Sequence, residues 1–372
     1  MEATAFATEE LVINMGPQHP STHGVLRLVV TLDGELVVEC VPHIGYLHSS
    51  LEKICERRTY VQIVPFTDRF DYLASLTNNF CYVRAVEQLM GIEVPRRGEY
   101  LRVLMAELQR ITSHLVWLGT FGLDLGAITL FLWCFREREV LLDLFESVTG
   151  QRLLYNYLRI GGLRNDLPPG FTEKAREFLG YFPGRLTEYD QLFTNNRIFR
   201  ARVDGVGILP RKKAIAYAVT GPTARGSGID ADVRRTDPYS VYPELEFSVP
   251  VFDTEDCLAR YRVRLEEMRE SRKIALQCLD ALDGMQGEPY AAKVPRTIKP
   301  PAGEVYARVE SPRGELGCYL LSDGSDTPAR FHWRAPSFAN LQALPTMARG
   351  GLVADMVAVL GSIDIVLGDV DR

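Results

Sequence analysis

Two of the six histidines, His19 and His23, stand four residues apart in the run Gly16-Pro17-Gln18-His19-Pro20-Ser21-Thr22-His23-Gly24. The composition of that run forbids a helix. Pro17 and Pro20 lack an N–H and constrain the residue before each, while Gly16 and Gly24 accept turn dihedrals. Apolar runs flank it at 10–15 and 25–32, so a β-hairpin presenting imidazoles at its tip is expected. Imidazole gives or takes a proton near neutral pH, and a loop held by its neighbours is a usual place for such a group. The plainer reading makes His19 a turn residue and His23 a satisfied loop histidine. The spacing carries no metal-binding meaning, because four residues align two ligands only on a helix. Two further runs place polar chemistry beside glycine or apolar residues: Asp68-Arg69-Phe70-Asp71-Tyr72 and Gly122-Leu123-Asp124-Leu125-Gly126. Tyr72 is expected in a helix following Pro65. Asp124 is expected after a helix end, where N-capping the next helix is its plain role, and Thr120 lies one helical turn before it.

Rigid elements must hold these groups. Residues 1–45 read as short strands with turns at 18–24 and at Asp33-Gly34. Helical patterning follows. Leu101, Leu104, Met105, Leu108, Ile111, Leu115 and Leu118 keep helical spacing behind Pro95 and predict a helix over 97–118. A second is predicted over 128–148, apolar on most sides at first and so expected to be central, with Gly150 as its stop. A third covers 171–194 behind Pro168-Pro169-Gly170. Over 258–282 the residues Leu258, Tyr261, Leu265, Met268, Arg272, Ala275, Leu279 and Leu282 alternate three and four apart, as in antiparallel bundle packing. Arg272 in that stripe reads as a snorkelling stem. Residues 205–251 are rich in glycine, proline and charge, and residues 295–303 read as a connector. Strand-like 304–310 and 316–321, around Ser311-Pro312-Arg313-Gly314, predict a hairpin.

Composition excludes several classes. With 42 basic against 48 acidic residues the net charge is −6, which argues against nucleic-acid binding. Only seven basic residues are lysines; a GC-rich genome accounts for the arginine excess, although arginine also suits buried pairing. The longest apolar run, residues 126–135, is about half the roughly 20 residues of a membrane span. Seven scattered cysteines without a Cys-x-x-Cys pair read as core thiols in a reduced compartment, and the acidic start does not resemble a secretory signal.

The histidine run, residues 62–72 and residues 122–127 together resemble the 49-kDa subunit family of respiratory complex I with its bacterial and plastid counterparts. Similar stretches follow at His43-Ile44-Gly45-Tyr46-Leu47-His48, Arg110-Ile111-Thr112-Ser113-His114-Leu115, Phe135-Arg136-Glu137-Arg138-Glu139, Arg159-Ile160-Gly161-Gly162, Gly221-Pro222-Thr223-Ala224-Arg225-Gly226-Ser227-Gly228 and 362–372. The resemblance implies an α+β, hydrogenase large-subunit-like fold. Its parts would be an N-terminal β module (1–45), a helical bundle core (46–300, with the irregular segment 205–251) and a C-terminal α/β segment (301–372) returning to the core.

Carried over by motif position, the resemblance makes His23 and Tyr72 ligands of a quinone headgroup and proton donors, with Asp124 the carboxylate pairing with His23. Thr120 joins as a pocket residue, and His19, Arg69 and Asp71 support the site. No spacing rule links positions 23, 72 and 124. The chain would bind no metal or cofactor itself. Electrons would come from the terminal iron–sulfur cluster of a small partner subunit, beside a 30-kDa-type peripheral subunit, a membrane subunit forming the quinone channel and other complex I subunits. The whole would be a proton-pumping oxidoreductase, with this chain peripheral on the cytoplasmic face of a bacterial plasma membrane or a thylakoid equivalent. NADH, NADPH and ferredoxin remain open as donors. [NiFe]-hydrogenase activity is rejected, because a soft metal centre needs paired thiolates. A scaffold that only assembles the complex is the alternative, kept open by departures from the family pattern at Ser49, Asn79 and Asp230-Ala231. His43, His48 and His114 are expected to be structural, and His332 has no assigned role.

Overall fold

The computed structural model describes residues 10–19, 22 and 24–372. Strand β1 (Glu10–Met15) is followed by β2 (Gln18–His19), β3 (Gly24–Val25), β4 (Arg27–Asp33) and β5 (Leu36–His43). β1, β4 and β5 form an antiparallel sheet in that order, while β2 pairs with β3 as the expected small hairpin. Alternation decides the face of β4: Leu28, Val30 and Leu32 point inward and their neighbours do not. Of the hairpin tip only Thr22 is described; it is buried, and its hydroxyl donates to the His19 and Gly24 carbonyls at 2.8 and 2.9 Å. His19 is exposed on β2.

The helical body begins with α1 (Leu51–Cys55), α2 (Tyr60–Thr67) and α3 (Ser75–Met90). Thr59 and Gln62 open α2 with a reciprocal capping box, and Gly91 closes α3 in the left-handed conformation. Next come α4 (Arg96–Asp124) and α5 (Ile128–Thr149), with Gly150 stopping α5 as expected. Strands β6 (Leu158–Arg159) and β7 (Gly162–Leu163) make a short pair before α6 (Phe171–Tyr189), which runs into a π turn over Asp190–Thr194. Short helices α7 (Arg197–Val203), α8 (Arg211–Ala216), α9 (Gly221–Arg225) and α10 (Val233–Thr236) carry the irregular region. Then α11 (Cys257–Asp283) lies against α4 with the predicted stripe turned inward. Within it, Arg272 donates to the Leu179 carbonyl of α6 at 2.6 Å.

The predicted C-terminal hairpin is β8 (Gly303–Ser311) with β9 (Gly314–Ser322), extended by β10 (Arg330–Arg334) into a second antiparallel sheet that packs on α3. Helices α12 (Pro336–Leu341), α13 (Leu344–Ala348), α14 (Met356–Ile363) and α15 (Leu367–Asp371) end the chain. One continuous apolar core runs from Leu26 to Val370, and no helix among the described residues is long and apolar enough to cross a membrane.

Three local expectations need correction. Tyr72 is not helical; it lies in the turn between α2 and α3, where the Asp71 side chain accepts the Leu73 N–H at 3.1 Å and takes over a bond that helix continuation would have used. Asp124 is the last residue of α4, and Ala127, not Asp124, occupies the N-cap of α5. The start of α5 is not central: Ile128 and Leu132 are 61% and 59% exposed, because α4 covers only the side bearing Leu130 and Cys134. The arginine excess has a structural use as well, since Arg102, Arg110, Arg225, Arg234, Arg260, Arg264 and Arg313 are all fully buried.

Gly221 shows how tightly the β8–β9 turn is seated. Its φ is +68°, and a Cβ there would lie 2.4 Å from Gly314 Cα and 2.5 Å from the Arg313 carbonyl oxygen. Gly221→Ala should therefore cost about 2–4 kcal/mol, from left-handed strain plus a backbone clash. Thermal unfolding of the purified complex carrying the variant should show a lowered melting temperature for this chain.

Candidate functional site

Residues far apart in sequence meet at one cavity of about 570 Å³. The turn after α2 contributes Tyr72 and Leu73, α4 contributes Val116, Trp117, Thr120, Leu123 and Asp124, and the link between α14 and α15 contributes Asp364, Ile365 and Val366. Of the residues singled out from sequence, the structure thus brings Tyr72, Thr120 and Asp124 together. His23 lies outside the described residues. Arg69 is exposed, and its guanidinium donates to the Pro65 carbonyl one turn back.

Tyr72 is half-buried, and burial pushes its phenol above the ordinary range; the Asp71 charge adds to this and Arg313 opposes it. The phenol therefore keeps its proton at neutral pH and is a donor to anything in the cavity. Thr120 differs: its hydroxyl proton is already shared between the Val116 and Trp117 carbonyls at 3.0 and 3.1 Å, so toward the cavity it offers lone pairs. Asp124, half-buried at the C-terminal end of a 29-residue helix, sits at the negative pole of the helix dipole, where a carboxylate is favoured only with a compensating cation or donor.

Beneath the cavity lies an ion cluster that no local sequence pattern announces. Arg313, from the β8–β9 turn, donates through Nη1 to Asp71 Oδ2 at 2.6 Å and to Ser113 Oγ at 3.2 Å, and through Nη2 to Asp364 Oδ1 at 3.4 Å. Arg264 Nε stands 3.8 Å from Asp364 Oδ2. The Arg264 guanidinium also stacks 4.6 Å from the centre of the Trp117 ring and donates to the Ser362 and Ile363 carbonyls, each at 2.8 Å. Burial pulls Arg264 down to about 10, with Asp364 and Glu267 opposing, so it stays a cation. These bonds hold Asp364 in a left-handed conformation (φ +58°), which costs a non-glycine residue energy unless its surroundings impose it. Nothing in Ser311-Pro312-Arg313-Gly314 marks Arg313 as more than a turn residue. Asp364 directly follows α14, which packs against α4 and α11.

The same segment ties down the N-terminal hairpin. A Cβ on Gly24 would meet the Leu367 side chain at 2.9 Å, and Asp371 accepts the N–H groups of Gly45 and Leu47 at 2.8 and 2.7 Å. His48 Nδ1 lies 2.7 Å from the Asp371 carbonyl, a structural role as expected. His114 is structural too, but it does have an acidic partner: Glu267 Oε2 lies 2.8 Å from its Nε2, 153 positions away in sequence. Burial lowers His114 to about 4 despite that carboxylate, so the imidazole is neutral. His332 pairs with Glu52 at 3.1 Å. Among the described residues, no group of three or more His, Cys, Asp or Glu side chains could hold a metal ion.

Comparison with known proteins agrees over almost the whole length. The family model of the respiratory-chain NADH dehydrogenase 49 Kd subunit matches residues 124–298 and 290–372. An NADH-quinone oxidoreductase subunit of Symbiobacterium thermophilum is 52% identical over 379 residues, covering 98% of this chain and 99% of that protein. Its counterpart in Chlorobium luteolum is 53% identical over 372 residues (98% and 94%), and that of Geobacillus thermodenitrificans 51% over 366 (98% and 99%).

Asp68, fully buried beside the site, supplies a pH test. Its Oδ1 accepts from Asn79 Nδ2 at 2.7 Å and its Oδ2 from the Asn156 N–H at 3.0 Å, but burial outweighs both and pushes the carboxyl up to about 7. The folded state therefore binds the proton more tightly than the unfolded chain. This group's contribution to stability is greatest at low pH and is lost as pH rises from about 4 to about 7. Asp68→Asn, which does not titrate, should gain about 1–3 kcal/mol relative to wild type across that window. Denaturation midpoints at pH 5 and pH 8 check the sign.

Proposed function

This chain belongs to the 49-kDa subunit family of the respiratory-chain NADH dehydrogenase, and from that premise we propose that its cavity binds a quinone headgroup and protonates it on reduction. As a subunit of an NADH-quinone oxidoreductase it works within an assembly. The observation that carries the reading is the meeting of Tyr72, Thr120 and Asp124 at one cavity, otherwise lined by Leu73, Val116, Trp117, Leu123, Asp364, Ile365 and Val366. A planar, mostly apolar headgroup with two carbonyl oxygens suits such walls: apolar side chains take the ring and few polar groups fix its orientation.

Reduction of quinone to quinol takes two electrons and two protons. Tyr72 donates a hydrogen bond to one carbonyl oxygen and passes its phenolic proton there as negative charge develops. His23 serves the other oxygen, and Asp124 orients that imidazole and stabilises its protonated form. His19 and Asp71 support these groups, Asp71 through the turn that carries Tyr72. Electrons arrive from an iron–sulfur cluster held by a small partner subunit, beside a 30-kDa-type subunit. Quinone enters from the bilayer through a membrane subunit, and the assembly couples the chemistry to proton translocation. Leu123 lines the cavity and is exposed; Ile128 and Leu132, also exposed, lie just beyond it in sequence. Such apolar side chains call for cover by a partner. The chain sits peripherally, on the cytoplasmic face of a bacterial plasma membrane. A hydrogenase large-subunit-like architecture, divided at about residues 45 and 300, fits the mixed helix and sheet.

Tyr72→Phe in the whole complex should lower quinone reduction by about 10²-fold, the usual scale for losing a general acid. Reduction of an artificial acceptor in the same preparation should be spared, and His23→Ala should act in the same direction. Equal quinone rates in wild type and both variants would move the site elsewhere and leave the chain as a scaffold.

A further inference from the structure

Asp369, on α15, is fully buried against the turn that carries Tyr72. The backbones are so close that a Cβ on Gly368 would lie 2.6 Å from the Phe70 carbonyl oxygen and 3.5 Å from Tyr72 Cε1. Asp369 Oδ2 accepts the Ser337 N–H at 3.1 Å, whereas Oδ1 has no hydrogen-bond partner among the described residues. An ionised carboxylate with one orphaned oxygen is expensive in a protein interior.

The ion pairs lead to the same residue. Of the three buried carboxylates Asp71, Asp364 and Asp369, the first two pair with Arg313 and Asp364 also stands by Arg264, whereas Asp369 forms no ion pair among the described residues. Asp71 takes the shortest bond from Arg313 together with the Leu73 N–H, and Asp364 faces both guanidiniums. Asp369 has only the neutral donors of Ser337. Burial and the neighbouring Asp71 charge push it up to about 6, against the pull of Ser337 and Arg313. The other charged groups nearby are bonded elsewhere: Asp371 to the Gly45 and Leu47 amides, Glu267 to Arg225 and His114, and Arg260, which like Glu267 adds to the field at Arg264, to Ser362 Oγ and the Gly207 carbonyl.

We propose that Asp369 holds the proton of this cluster and that its ionisation, acting through Asp71 and Arg313, sets how readily Tyr72 gives its phenolic proton to the quinone. The proposal rests on the quinone-site reading above. Asp369 touches neither the quinone nor the reacting atoms, so it is a positioning residue. With Asp369 protonated, the phenolate left when the Tyr72 O–H bond breaks and its proton joins the quinone oxygen meets no unpaired carboxylate on α15. With Asp369 ionised, the phenolate would be a second negative charge beside one that no guanidinium bonds. Proton donation by Tyr72 is then disfavoured.

The test is the pH profile of NADH-driven reduction of a short-chain ubiquinone by the purified complex, with hexacyanoferrate(III) as artificial acceptor in parallel. The wild-type quinone rate should decline with rising pH along a limb centred near 6, at its steepest about tenfold per pH unit for one ionising group. Asp369→Asn should abolish that limb, Asp369→Glu should keep it but displace it, and the hexacyanoferrate profile should lack it. A limb retained unchanged in Asp369→Asn, or shared by both acceptors, would overturn the inference. Should Asp369→Asn not assemble, Asp369→Glu decides, because an undisplaced limb there is equally fatal. Tyr72→Phe separates the two levels. Full quinone activity in that variant removes the quinone-site reading itself, whereas an inactive Tyr72→Phe with an unmoved limb in the Asp369 variants removes only the role of Asp369.

Discussion

Arg313 joins parts of the chain that nothing else in the sequence brings together. Its guanidinium reaches Asp71 in the turn after α2, Ser113 in the middle of α4 and Asp364 at the end of α14. Each of those segments supplies a wall of the cavity, so the relative position of the walls depends on one planar fork of donors. Lysine could not replace it, because a point charge cannot address three acceptors in fixed directions. The bond set also explains why the charge is tolerated: an unpaired ion in the interior would cost several kcal/mol, and removal of one partner from a buried pair typically costs about 3–5 kcal/mol. The Tyr72 turn and the left-handed Asp364 each supply that guanidinium with a carboxylate partner.

The same economy recurs deeper in the bundle. Glu107 is reached by Arg110 and Arg234 and accepts from Ser271 and Tyr242, each at 2.6 Å; burial alone would raise it, but the two guanidiniums hold it at about 2. Arg225 faces Glu267, Glu310 and Asp232. Four carboxylates (Glu107, Asp232, Glu267, Glu310) thus meet three guanidiniums (Arg110, Arg225, Arg234), and burial with the Asp232 charge pushes Glu310 up to about 7. In each cluster burial, together with a neighbouring aspartate, raises the proton affinity of one acid, Asp369 in the first and Glu310 in the second. Arginine stays charged throughout, so the protons settle on the carboxylates.

How much of this was legible in the sequence follows from the range of each interaction. The α11 stripe and the β8–β9 hairpin were readable because periodicity and turn chemistry are local. The exposure of Ile128 and Leu132 was not, since an apolar face looks the same whether or not a neighbour covers it. Tyr72 looks helical in sequence because the signal that breaks the helix, the Asp71 side chain bonding to Leu73 N–H, has no composition signature. Helical spacing sets Thr120 beside Asp124 in sequence, but family resemblance alone groups Tyr72 with them; the cavity gathers all three independently of it. Arg313 and Asp71 lie 242 positions apart, beyond any spacing rule. Only the fold could pair them.

The placement of the arginines bears on how the proposed quinone reduction would fit an acid-lined cavity. On that proposal a quinone oxygen gains negative charge as it is reduced, and Asp364 lines the same cavity. Two unit charges about 4 Å apart repel by about 4 kcal/mol at an effective dielectric of 20. That is enough to slow reduction about a thousandfold if none were compensated. Arg313 donates to one Asp364 oxygen at 3.4 Å and Arg264 stands 3.8 Å from the other, so two cations lie beside that carboxylate. Tyr72, raised by burial, keeps a proton available at the same cavity. The cavity therefore combines a proton donor with an acid, Asp364, that is paired from the core by guanidiniums outside the cavity lining.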